Sequence, residues 1–183
     1  MIAELILATD MARHFDLIKN YQSKRLDEKC EFDSPAWQRM HLGMIMKSAD
    51  IGHSFKAWKL HYAWSCCVQA EFFAQGDLER SNLWHLSPVC DRHTVQFAKG
   101  QIGFITCVAK PLLKELIERT QQQQKQLDNV PHTIESLSQF EANAEKWATQ
   151  EDPLFPPASN AQQQELLWAT YAASRRLQDA LLR

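Results

Sequence analysis

Apolar positions step by three and four along most of this chain, the spacing of one buried face on a helix. Leu5, Ala8, Met11 or Ala12, Phe15 and Ile18 predict a helix from residue 3 to about 28, with Lys24, Arg25 and Asp27 solvated near its end. Cys30 to Ser34 reads as a loop, and Ser34-Pro35 places a capping hydroxyl directly before a first-turn proline. The second helix is expected over 35–51 with Trp37, His41, Met44, Ile45 and Ser48 inward, ending at Gly52. A third, over 56–75, is expected to bury Trp58, Tyr62, Ser65, Val68 and Phe72, with Gln75-Gly76-Asp77 closing it.

Residues 80–90 read as a loop. Asp91 is the expected N-cap of a long helix over 92–124, whose stripe is Val95, Ala98, Ile102, Ile105, Ala109, Leu112 and Leu116. Pro111 predicts a kink in it. Further helices are expected over 133–149 and 161–182, separated by the proline-containing stretch 151–157. With no alternating strand segments, the fold class is all-α.

Composition narrows the class of function. At 183 residues the chain is long enough to bury a substantial core, and its 45% hydrophobic and 23% charged residues are ordinary for a globular protein. A formal net charge of −2 and the lack of a basic run argue against nucleic acid or an anionic membrane as partner. No apolar run is long enough to span a bilayer, and no signal peptide is recognisable. Five cysteines without CxxC spacing read as reduced thiols in a cytoplasmic protein. Neither GxxxxGK nor GxGxxG occurs.

Two polar and aromatic pairs stand out against this background. Asp50 and His53 share a face if their segment is helical, and so do Gln101 and Phe104. The segments around them resemble the catalytic domain of class I 3′,5′-cyclic-nucleotide phosphodiesterases. The resemblance is carried by Ile6 to Met11 with His14, Ala49-Asp50-Ile51 with His53, and Ala57 to Tyr62 with Trp64. It continues through Glu71-Phe72-Phe73, Gln75-Gly76-Asp77 and Glu79, Ser87-Pro88 with Cys90-Asp91-Arg92, and Gln101 with Gly103-Phe104-Ile105. It covers roughly residues 4–117. His14-Phe15, Ile18-Lys19-Asn20 and the histidine at 53 are most similar to the calmodulin-dependent type.

The resemblance implies an HD-type multi-helix catalytic domain that hydrolyses cyclic AMP and/or cyclic GMP to the 5′-monophosphate, with residues 1–150 as its C-terminal half and 151–183 as a linker and terminal helix. Its cofactors are divalent metals, zinc with magnesium or manganese, which activate water and neutralise the phosphoryl group. Asp50 matches the metal-ligating aspartate of this half. Gln101 matches the purine-binding glutamine, Phe104 the stacking ring and Val68 the wall facing it. Phe72 and Met11 match pocket walls, and His53 a position near base and phosphate. Thr9 and Asp10 match residues behind the metals, and Gln75 a residue that orients the glutamine.

In that family the remaining metal ligands and the general-acid histidine come from an N-terminal half rich in histidine. These 183 residues contain no HxxxH spacing and no His-Asp dipeptide. No catalytic residue is therefore assigned, one carboxylate cannot hold a catalytic zinc, and the chain by itself is expected to be inactive. The expected partners are the cyclic nucleotide and the N-terminal half or another subunit, with self-association through faces left uncovered. The alternative is an inactive truncated paralogue serving as a helical nucleotide- or protein-binding module.

Overall fold

The computed structural model describes residues 2–124 and 132–155. The helix expected over 161–182 lies outside the described residues. Among the described residues every regular element is helical: α1 (Ile2–Ala8), α2 (His14–Arg25), α3 (Pro35–Asp50), α4 (Trp58–Ser81), α5 (Phe97–Gly103), α6 (Lys110–Gln124) and α7 (His132–Thr149). Short 3-10 turns cover Met11–Arg13 and Gly52–Phe55, and a π-helical segment covers Phe104–Ala109. The chain divides into two compact units, one of residues 1–61 with 101–149, the other of 62–100 with 150–183.

In the first unit the expected helix over 3–28 is broken. The carboxylate of Asp10 accepts from the amide of Ala12 at 2.9 Å and starts a new turn, while the ammonium of Lys47 donates to the carbonyls of Ala8, Thr9 and Asp10 at 3.3, 3.0 and 2.9 Å. Lys47 is wholly buried. A cation on the last carbonyls of α1 satisfies its orphan acceptors and complements its dipole. On α3, Trp37, Met44 and Ser48 are buried as expected, but Ile45 is 45% exposed; Lys47 takes the inward place because the three carbonyls need it.

Tyr21, Trp37, Met44 and Leu112 form the core that joins α2, α3 and α6, with Leu17, Ile18, Phe32 and Leu116 packed around it. The Tyr21 hydroxyl donates to His41 Nδ1 at 2.7 Å, and burial raises the phenol while lowering the imidazole, so both stay neutral. Arg25 is buried against Glu115 at 3.0 Å and also binds Glu118. The kink expected at Pro111 takes the form of the π segment immediately before it, which accommodates a residue that lacks an N–H and crowds the preceding turn.

In the second unit α4 runs through Gly76 to Ser81 rather than closing at 75–77. Glycine is required there by contact: a Cβ at 76 meets the Cys90 carbonyl oxygen at 2.0 Å. The buried positions of α4 include the row His61, Ser65, Gln69 and Phe73, whereas Phe72, expected inward, is 37% exposed. This i, i+4 row is mostly polar, so the apolar period does not reveal it. The long helix expected from 92 starts at Phe97 instead. Asp91 caps only a local turn through the His93 amide, and Asp152 takes the amides of Phe97 and Ala98 at 3.0 and 2.7 Å. Arg92 grips Asp77 and the Phe155 carbonyl while lying over Phe73.

Gly76→Ala is expected to lower stability by about 2 kcal/mol or more, because the obstacle is backbone. Gly100→Ala, where a Cβ meets nothing within 4 Å, is expected to gain about 0.5–1 kcal/mol from helix propensity. Urea unfolding midpoints check both, and a neutral Gly76→Ala would contradict the close approach.

Candidate functional site

Helix α3 ends at Asp50, and the polypeptide passes through Ile51 into the 3-10 turn Gly52–Phe55 that carries His53. Helix α7 fixes this turn. The side-chain amide of Asn143, fully buried, donates to the carbonyls of Ser54 and Lys56 at 3.0 Å each, and Phe140 meets Phe55 edge-on. His53 is half-buried and lies nearly parallel to Phe104, with ring centroids 6.1 Å apart and 13° between planes. Gln101, one turn before Phe104, has its side-chain oxygen buried with no hydrogen-bond partner. The structure thus brings His53 together with Phe104 in the first unit, with Gln101 on the same helical run.

Two residues not assigned from sequence determine what His53 can do. The Trp147 indole N–H donates to His61 Nε2 at 2.7 Å, and His61 Nδ1 faces His53 Nδ1 at 3.2 Å. Indole nitrogen is a donor only, so His61 Nε2 carries no proton. Neutral His61 then holds its proton on Nδ1 and gives it to His53 Nδ1. His53 is left with its proton on Nε2, as a hydrogen-bond donor. Burial lowers both histidines, His61 to about 4, which keeps the pair neutral at pH 7. The one sequence signal for His61 is its place in the Ala57 to Tyr62 segment that resembles the family, and Trp147 lies outside the residues that carry that resemblance.

Asp50 is exposed at the end of α3, with the Lys47 ammonium close enough to interact electrostatically. Among the described residues no group of three or more His, Cys, Asp or Glu side chains is placed to hold a metal ion. The donor set therefore does not fit a complete metal centre, and Asp50 presents a single exposed carboxylate. Thr9 donates its hydroxyl to the Ile6 carbonyl at 2.8 Å, and Asp10 is engaged as the cap of the following turn. Met11 is 46% exposed.

The remaining expected residues belong to the second unit. Val68 is half-buried on α4, Phe72 is exposed, and Gln75 donates its amide to Glu79 and Ser87. Glu79 also accepts the Ser87 amide and hydroxyl, and these bonds hold its carboxyl below the usual range.

Because His14, His41, His53 and His61 are all lowered from 6.5, the unfolded chain binds more protons than the folded one below that pH. Stability is expected to be fully present above pH 6.5 and to fall as pH drops toward 4, with His61→Gln flattening that limb in urea titrations. Trp147→Phe is expected to leave His53 distributed between tautomers in long-range ¹H–¹⁵N spectra; an unchanged His53 would contradict the proton arrangement.

The family described as 3'5'-cyclic nucleotide phosphodiesterase matches residues 1–130. A dual 3',5'-cyclic-AMP and -GMP phosphodiesterase beta of Plasmodium falciparum is 42% identical over 118 residues, 63% of this chain and 10% of that protein. A dual specificity calcium/calmodulin-dependent phosphodiesterase 1C of Mus musculus is 35% identical over 121 residues, 66% of this chain and 16% of that one. The solved structure of LmjPDEB1 in complex with IBMX superposes with a TM-score of 0.67 at 25% identity, covering 80% of this chain and 41% of the other. The chain thus spans a small part of the curated relatives it matches. On the extent of the family match, seen also in the helical arrangement, this chain belongs to the 3'5'-cyclic nucleotide phosphodiesterase family.

Proposed function

We propose that the chain supplies the purine-recognition part of a cyclic-nucleotide phosphodiesterase, which hydrolyses cyclic AMP and/or cyclic GMP to the 5′-monophosphate when residues outside this chain complete the metal centre. The observation that carries the reading is the set formed by His53, Phe104 and Gln101. It offers an N–H donor, an aromatic face and an amide whose buried oxygen has no partner. A purine presents hydrogen-bonding edges and a flat apolar face, which such a set recognises. A side-chain amide has both donor and acceptor and so serves adenine or guanine. Val68, Phe72 and Met11 are proposed as further walls, and Gln75, Thr9 and Asp10 as supporting residues.

Asp50 is proposed as one ligand of the zinc and magnesium or manganese centre. The family's metals supply a nucleophilic hydroxide and charge neutralisation. In this chain's own residues the function reduces to holding the base and presenting a carboxylate. The exposed apolar residues Ile2, Ile6, Leu7, Met11 and Phe15 of the first unit support a face covered by further protein, which fits donors carried on a complementary half or another subunit. Among the described residues no helix is long and apolar enough to cross a membrane.

The test is to incubate the 183-residue chain with both cyclic nucleotides, zinc and magnesium, alongside Asp50→Ala. No turnover is expected from either. Turnover abolished by Asp50→Ala would overturn the need for outside donors. Binding of a fluorescent cyclic nucleotide is expected to weaken about tenfold or more in Gln101→Ala, as for a lost hydrogen bond to a buried base. Equal binding in Gln101→Ala and Phe104→Ala would sink the base-recognition reading.

A further inference from the structure

Separate from the residues of the base-recognition set, the turn after α2 and the end of α6 enclose an open cavity of about 560 Å³, within the range of small-molecule sites. Arg119 lines it and is only 6% exposed. Its guanidinium lies over the Phe32 ring, 3.8 Å from the centroid, with Trp37 at 5.7 Å. Its Nε is sealed from solvent and has no acceptor. The carboxylates nearest to it along α6, Glu115 and Glu118, are both bound to Arg25. Arg119 is thus a buried guanidinium stacked on a ring, with its Nε unpartnered and no ion pair among the described residues, and a guanidinium matches a carboxylate bidentately.

The lining also holds Arg25, whose charge is taken up by Glu115 and Glu118, and three acids. Asp27, Glu28 and Asp33 line the same cavity and are exposed, and among the described residues none forms an ion pair with Arg119. The cavity is therefore bipolar, with a cation at depth and three acids at the rim. A simple anion must pass the acidic rim, and a simple cation gains nothing from Arg119. A molecule carrying both charges, several bonds apart, satisfies both ends.

We propose that this cavity binds a small zwitterion, whose carboxylate engages Arg119 while its ammonium group meets the Asp27, Glu28 and Asp33 carboxylates. The ligand class is amino-acid-like, with the two charges separated by a flexible apolar stem. The site is independent of nucleotide turnover, so it stands or falls apart from the reading of the base-recognition residues.

The probe is 6-aminohexanoate, set against hexanoate, hexylamine and inorganic phosphate, titrated into the 183-residue chain. The readouts are the Arg119 Nε–H resonance and the thermal unfolding midpoint. The zwitterion is expected to shift the resonance saturably and to raise the midpoint, and each of the other three to bind at least tenfold more weakly. The double variant Glu28→Gln with Asp33→Asn, both exposed, is expected to weaken the zwitterion about tenfold without altering the fold. Arg119→Met is expected to abolish binding and, without probe, to leave the midpoint unchanged or higher, since a buried unpaired cation is costly. Hexanoate, phosphate or hexylamine binding as tightly as the zwitterion overturns the proposal. So does the absence of a saturable response, or an Arg119→Met chain with a sharply lower midpoint, which would make the arginine a purely structural stack on Phe32.

Discussion

The site depends on α7 holding the turn after α3. A four-residue 3-10 turn has few internal hydrogen bonds and no extended packing face, so its conformation must be imposed from outside. Asn143 does this by donating to the carbonyls of Ser54 and Lys56, two acceptors left over where the turn ends. Trp147, one helical turn on, reaches His61 and through it His53. The same face of α7 therefore fixes both the path of the backbone and the position of a proton. Because Asn143 and Trp147 are both buried, neither bond competes with bulk water, which raises the cost of breaking either one.

At the other end of α3, Lys47 plays a comparable part with a charge. Its ammonium gathers the last carbonyls of α1 and so decides that α1 stops at Ala8. Burial lowers its pKa, and the charges of Asp50 and Asp10 act to raise it. Asp50 thus has two relations to α3: it sits at the helix terminus, an unfavourable place for a carboxylate, and it is compensated by the lysine one turn before. A cation bound at Asp50 would meet Lys47 as a repulsive neighbour, which is a physical reason for the carboxylate to need further donors before a metal is held.

The helical period in the sequence is sufficient where burial is apolar. Ser34-Pro35 and the Trp37 to Met44 spacing place α3 within a residue, and α7 falls close to the expected 133–149. The period fails where the inward face is polar, as at His61 and Gln69 of α4 and at Lys47, although Ser65 is buried as expected. It also fails where a cap comes from far along the chain, since Asp91 has the local pattern of a cap while Asp152, 55 residues beyond Phe97, performs it. Asp50, His53, Gln101 and Phe104 are singled out through family motifs, and the structure brings His53 and Phe104 together with Gln101 on the same helical run. The proton arrangement through His61 and Trp147 was not legible, because it arises only when α4 and α7 are packed together. The cavity at Arg119 had no signal at all: an arginine in the last turns of an amphipathic helix reads as a solvated residue.

Charged groups in this fold are otherwise closely matched. Arg25 has Glu115 and Glu118, Lys47 has three carbonyls, and Arg92 has Asp77 and a backbone carbonyl. Several neutral groups lack partners, among them the hydroxyls of Ser48, Ser54 and Ser65 and one nitrogen of His14, and for these the cost is modest. Gln101 and Arg119 are different in kind. The amide oxygen of Gln101 lies on the run that carries Phe104, and the guanidinium of Arg119 carries a full charge into a site lined by Phe32. A fold that satisfies its other buried cations has the means to satisfy Arg119. Leaving its Nε without an acceptor is a loss of stability that selection tolerates where a ligand recovers it, and the same argument, at the smaller scale of a neutral amide, bears on the proposal that the unpartnered Gln101 oxygen meets a base.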